Sequence, residues 1–161
     1  MVRVYVGVGS NVERENNIRG GLHALAERFG KLELSPIYQN TAVGFEGDDF
    51  YNLVAAFITH KEIDEVAAEL KEIEYDFGRR RNETRFSPRT LDIDLLMYGD
   101  TVDSSHDVPR EDITKYAFVL KPLFDMEPDL VHPQTGKTIA ELWQEFPGED
   151  AELQEVRLEN A

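Results

Sequence analysis

Phe50-Tyr51-Asn52-Leu53-Val54-Ala55-Ala56-Phe57-Ile58-Thr59 is an unbroken apolar and β-branched run, and the residues after it change period. Ile63, Val66, Ala67, Leu70, Ile73 and Phe77 recur at helical spacing, and Gly78 supplies the stop. This strand-then-helix unit has a counterpart upstream. Val2 to Val8 reads as a strand closed by Gly9-Ser10-Asn11, followed by a helix over Asn17 to Phe29 with Ile18, Leu22, Leu25 and Phe29 on one face and Gly30 behind it. Between the two units, Lys31 to Tyr38 reads as a strand weakened by Pro36, and Asn40 to Asp49 as a loop. Downstream, Arg79 to Arg89 is a charged loop and Leu91 to Tyr98 a strand closed by Gly99-Asp100. The order β-α-β-β-α-β predicts an α+β fold: a ferredoxin-like βαββαβ sandwich, its helices on one face of an antiparallel-rich sheet, with additional C-terminal helices or strands. Phe118 to Met126 is expected to be helical with Pro122 near the start, and Thr138 to Phe146 a short helix. Residues 1–146 are expected to form the main folded domain, and 147–161 an acidic tail that is either an edge strand or partly disordered.

The chain has 161 residues, with 17 basic against 32 acidic side chains and a net charge of −15. That length suits one domain with a real core. The absence of cysteine excludes disulfides, thiol catalysis and cysteine-based zinc sites, and the four histidines show no ligand spacing. The first apolar run is interrupted by Arg3 and too short to be a signal peptide or membrane span, so a cytoplasmic protein is expected. The charge argues against nucleic-acid and membrane partners, and no aromatic RNA-binding pattern is present. It fits either an ordinary acidic protein or a saline cytoplasm in which like-charge repulsion is screened.

Against this background, Gly78-Arg79-Arg80-Arg81-Asn82-Glu83-Thr84-Arg85-Phe86-Ser87-Pro88-Arg89-Thr90-Leu91-Asp92-Ile93-Asp94 stands out. Five Arg against one Glu give the stretch 79–89 a charge of +4. Such a loop is either paired with surface carboxylates or grips phosphate, for which Arg is suited by its bidentate fork. Asp92 and Asp94, two apart in a strand, share one face, while Leu91, Ile93 and Leu95 point to the other. Paired carboxylates entered by Arg clamps describe a site for a Mg²⁺–polyphosphate such as ATP. Gly136-Lys137-Thr138 lacks the P-loop glycine at 131, Gly7-x-Gly9 lacks one at 12, and kinase motifs are missing, so another scaffold must carry that chemistry. Phe45, Phe50, Tyr51 and Asn52, preceded by Asn40 and Thr41, place aromatic faces beside an amide. This set suits a flat heterocycle, although Phe50 alone also reads as a core residue.

Gly9-Ser10-Asn11, Ser35-x-x-Tyr38, Phe50-Tyr51-Asn52, Ile73-Glu74, Gly78-Arg79, Pro88-Arg89-Thr90-Leu91-Asp92-Ile93-Asp94-Leu95, Val108-Pro109 and Phe118-Val119-Leu120-x-Pro122-Leu123 occur in that order. On these motifs the chain resembles the 6-hydroxymethyl-7,8-dihydropterin pyrophosphokinases of folate biosynthesis over about residues 2 to 143. The resemblance implies a ferredoxin-like fold and pyrophosphoryl transfer from ATP to a pterin hydroxymethyl group, releasing AMP. It implies two Mg²⁺ ions on Asp92 and Asp94, phosphate contacts from Arg79, Arg81 and Arg89, and a nucleotide contact from Glu74; Arg110 is expected to be a further nucleotide contact. The implied pterin site comprises Asn40, Thr41, Val43 and Phe86 from two lids, Asn52 on the pterin edge, and Phe50 and Phe118 on its faces. The lids would be Arg79 to Ser87 and Asn40 to Asp49. Separately from the resemblance, a monomer is expected. The chain departs from the family at Arg110 (usually His), Tyr116 (usually Arg), Lys71 (usually Gln), Phe86 (usually Trp) and Asn40 to Ala42 (usually Thr-x-Pro). Those departures leave open a divergent member acting on another pterin or small alcohol, or a non-catalytic ATP-binding homologue.

Overall fold

A computed structural model describes residues 1–40, 49–78, 91–147 and 153–158. The strands are β1 (Val2–Ser10), β2 (Glu33–Leu34), β3 (Ile37–Asn40), β4 (Phe50–Thr59), β5 (Asp92–Tyr98) and β6 (Gln154–Val156). The helices are α1 (Arg14–Phe29), α2 (Ile63–Asp76), α3 (Asp112–Lys115), α4 (Ala117–Met126) and α5 (Ile139–Glu145). The sheet runs β5-β1-β4-β3-β6, with β2 also on β4 and every pairing antiparallel. This is the ferredoxin-like arrangement, with β6 added at one edge from the acidic tail.

The expected single strand over Lys31 to Tyr38 is two short ones. Pro36 has no N–H to give to the ladder, and Ser35 substitutes a local arrangement. Ser35 donates its N–H to the Val54 carbonyl at 2.9 Å, and its Oγ accepts from the Val54 N–H at 2.8 Å. Helix α1 starts one turn earlier than its apolar periodicity indicates, with the Asn17 amide reaching back to the Val12 carbonyl at 2.5 Å.

One face of the sheet is covered by α1 and α2. Val4, Val6, Val8, Leu53, Ala55, Phe57, Ile93 and Leu95 from the strands, with Leu91 just before β5, meet Ile18, Leu25, Phe29, Val66, Leu70 and Ile73 from the helices. Gly21 lets α1 settle onto Leu91, since a Cβ there would lie 2.9 Å from a Leu91 methyl. The two helices of the β-α-β-β-α-β unit thus share one face, as expected. The C-terminal segment covers the other face, where Tyr5, Val54, Ala56, Leu96 and Met97 pack on Ile113, Val119, Leu120, Leu123 and Ile139. Two successive β5 residues, Leu96 and Met97, reach this second core because a bulge opposite Tyr5/Val6 re-phases the strand. Pro122 also departs from expectation: it lies in the middle of α4 rather than near its start. The helix tolerates it there because its buried face, with Val119, Leu120 and Leu123, is anchored in that core. α5 opens with a capping box in which the Thr138 Oγ1 accepts from the Glu141 N–H and the Glu141 carboxylate accepts from the Thr138 N–H.

Candidate active site

The Asp pair and the Asn predicted from sequence converge on the face of the sheet that α4 partly covers. At the C-terminal end of β1, Gly9 is the register partner of Asn52 on β4 and of Asp92 on β5. Two residues back, Gly7 lies opposite Asp94. A Cβ on Gly9 would meet the Asn52 Oδ1 at 2.5 Å, so glycine is what leaves the floor between asparagine and aspartate clear. Asp92 and Asp94 are half-buried, while Leu91, Ile93 and Leu95 between and beside them are buried on the opposite side. The Asn52 amide donates to the buried Asn40 side-chain oxygen, which orients both amides. Phe50, half-buried, is the register partner of Asn40.

Beyond the acids, a cavity of about 280 Å³ opens between α2 and β5, bounded by Lys71, Glu74, Asp94, His106 and Arg110 among others. Glu74 is buried, and its Oε2 accepts the Ile93 N–H at 2.7 Å, which ties α2 to the strand between the two aspartates. Arg110 follows a small hairpin closed by paired backbone bonds between Asp103 and Val108 at 2.9 and 3.1 Å. Its own N–H binds the carbonyl of the bulge residue Leu96 at 2.9 Å. From there its guanidinium approaches Asp112 at 3.2 Å, Asp107 at 3.5 Å and Asp94 at 3.8 Å. Burial works against the cation, but these three carboxylates outweigh it and hold Arg110 above the ordinary Arg range.

Phe118, at the start of α4, is half-buried and stacked on Tyr116 with ring centroids 4.9 Å apart. The aromatic at 116 is therefore a packing partner of Phe118. Sequence reasoning also passed over Arg14, whose guanidinium covers the Tyr51 ring at 4.2 Å and donates to the Asp49 carbonyl at 2.7 Å. Only the sequence proximity of Arg14 to the Gly9-Ser10-Asn11 turn hinted at it. Of the expected site residues, Glu74, Asn40, Phe50, Asn52, Asp92, Asp94, Arg110 and Phe118 are thus placed. Thr41, Val43, Arg79, Arg81, Phe86 and Arg89 lie outside the described residues, as do nearly all of both expected lids.

The donor chemistry fits Mg²⁺. Asp92 and Asp94 offer hard oxygen, and among the described residues no cluster of three or more His, Cys, Asp or Glu forms a full protein cage. Mg²⁺ typically takes one or two carboxylates and completes its shell with water and phosphate oxygens. No helix among the described residues is long and apolar enough to cross a membrane.

Residues 5–128 match the family model described as 7,8-dihydro-6-hydroxymethylpterin-pyrophosphokinase (HPPK). The chain is 38% identical over 160 residues to the 2-amino-4-hydroxy-6-hydroxymethyldihydropteridine pyrophosphokinase of Pseudomonas aeruginosa, covering 93% of this chain and 95% of that one. It is 33% identical over 145 residues to the enzyme of the same name from Aquifex aeolicus, covering 88% and 90%. Among solved structures, the fold is shared with Plasmodium falciparum HPPK-DHPS at a TM-score of 0.70 and 14% identity, over 90% of this chain and 45% of that longer one.

Proposed function

The chain belongs to the 7,8-dihydro-6-hydroxymethylpterin-pyrophosphokinase family, and from that premise we propose that it catalyses ATP-dependent pyrophosphorylation of 6-hydroxymethyl-7,8-dihydropterin in folate biosynthesis. The single observation that carries the reading is the row Asn52–Gly9–Asp92 across three strands, with Asp94 one step along. It brings a heterocycle-reading amide next to a carboxylate pair suited to metal–phosphate.

In this reading the pterin hydroxymethyl oxygen forms a bond to the β-phosphorus of ATP. The bond from that phosphorus to the α–β bridging oxygen breaks, AMP leaves with the oxygen, and the hydroxyl proton is released. Asp92 and Asp94 would hold Mg²⁺, which would supply positive charge beside the phosphates. Asn52, oriented by Asn40, reads the pterin edge, and Phe50 and Phe118 contact its faces. Glu74 and Arg110 border the nucleotide side, and Arg79, Arg81 and Arg89 supply cationic contacts to the phosphates. Thr41, Val43 and Phe86 complete the pterin enclosure. Holding both substrates in line supplies much of the rate enhancement, because phosphoryl transfer asks the protein mainly for position and charge. We place the reaction in the cytoplasm, carried out by a monomer on small-molecule substrates.

The test is product analysis with Mg²⁺, ATP and the hydroxymethyl pterin, resolving AMP from ADP at low and high salt. AMP released in step with pterin consumption supports the proposal. ATP binding with no AMP at any salt overturns it in favour of a divergent substrate, a reading the Tyr116–Phe118 stack favours because it changes the aromatic wall of the site.

A further inference from the structure

His106 sits at the tip of the hairpin that leads to Arg110, on the wall of the cavity shared with Asp94. Both of its ring nitrogens face carboxylates. Nδ1 lies 2.8 Å from the Asp103 Oδ2, across the hairpin's closing pair, and Nε2 meets Asp64 in the first turn of α2. A neutral imidazole has one N–H and can satisfy only one such partner; the imidazolium satisfies both. Asp103 is already committed by Ser105, which donates to its Oδ1 from the N–H at 2.9 Å and from Oγ at 2.6 Å. A chain of contacts therefore runs from α2 through His106 and the Asp103/Val108 bridge to Arg110, which meets Asp94.

We propose that His106 is a positioning residue: as an imidazolium it clasps the 103–110 segment to α2 and so holds Arg110 on the nucleotide side of the site. This rests on the pyrophosphokinase reading for its substrate and goes beyond it in assigning a pH-sensitive control of ATP affinity. The hydrogen bond to Asp103, and then that to Asp64, raise the affinity of His106 for its proton against the opposing effect of burial. The other charged groups bordering the cavity are Lys71 and Glu74 from α2, Asp94 from β5, and Asp107 and Arg110 from the segment itself. The clasp is therefore complete below the ordinary histidine range and opens as pH rises through the raised value.

The experiment pairs a ¹H–¹⁵N titration of the His106 ring in the substrate-free protein with Mg·ATP binding by calorimetry in the absence of pterin. Asp64→Asn, an exposed change, is expected to lower the His106 midpoint. His106→Gln is expected to weaken Mg·ATP binding by about 2–5-fold at pH 6, the range an exposed ion pair spans, and to match wild type at pH 9. In turnover the same change appears in the KM for ATP, with the KM for pterin and kcat unaltered. An unmoved His106 midpoint in Asp64→Asn, or equal ATP affinity of wild type and His106→Gln at pH 6, overturns the clasp. Absence of AMP release, by contrast, bears on the activity alone, since neither readout requires turnover.

Discussion

Asp92 and Asp94 are half-buried acids whose removal uncovers no core, so their contribution is expected to lie in chemistry rather than folding. Asp92→Ala and Asp94→Ala should each reduce Mg²⁺-dependent kcat by at least ~10²-fold, the scale of losing one preorganised electrostatic contact, with thermal unfolding nearly unchanged. A variant that unfolds instead would mean the carboxylate is structural. Gly9→Ala is expected to act differently. Its methyl would force Asn52 away from a 2.5 Å approach, raising the KM for pterin while leaving ATP affinity close to wild type in steady-state assays. His132 carries a pH prediction opposite in sign to that of His106. It is buried, its Nδ1 accepts the N–H groups of Gln134 and Thr135 at 3.3 and 3.2 Å, and burial depresses its proton affinity. The unfolded chain then binds the proton more readily. The stability His132 contributes is present above about pH 6.5 and lost as pH falls through the depressed value, measurable as a falling denaturation midpoint.

At the scale of elements, the site depends on β5 being held from both sides. Gly21 allows α1 to press on Leu91, Glu74 fastens α2 to the Ile93 N–H, and the bulge at Leu96 receives Arg110. Glu74→Ala leaves a buried N–H without its carboxylate and is expected to cost about 1–3 kcal/mol by urea denaturation, with Glu74→Gln recovering most of it. The strand and helix periodicities around Phe50 to Phe77 were legible because each element buries one face, and burial writes itself into sequence as period 2 or 3.6. The split at Ser35-Pro36 and the mid-helix Pro122 were not, because each depends on a neighbour in space: the Val54 backbone for Ser35, the second core for Pro122. The partners of Arg14, Tyr116 and His106 were not legible for the same reason: Tyr51, Phe118 and Asp64 are brought to them by packing and turn geometry.

For the whole molecule, a charge of −15 on 161 residues stores repulsion that counterions relieve. The unfolding temperature should therefore rise as NaCl is increased from about 10 mM to about 0.5 M, over which the Debye length shrinks from roughly 30 Å to a few ångströms. An unfolding temperature flat across that series, read by calorimetry, would show that the excess carboxylates lie too far apart to repel one another measurably. The β-α-β-β-α-β order and the faces of Asp92, Ile93 and Asp94 were determined by sequence alone, because both follow from local stereochemistry and from the need to bury apolar side chains. The family was legible there too, in the Pro-Arg-Thr-Leu-Asp-Ile-Asp run. Only tertiary structure decided that Asn52 and Asp92 flank one glycine, that Glu74 is fastened to the strand between the acids, and that the C-terminal segment covers the sheet's second face. Each of these is a register or a contact between residues far apart in the chain, settled when the strands align and the cores close together.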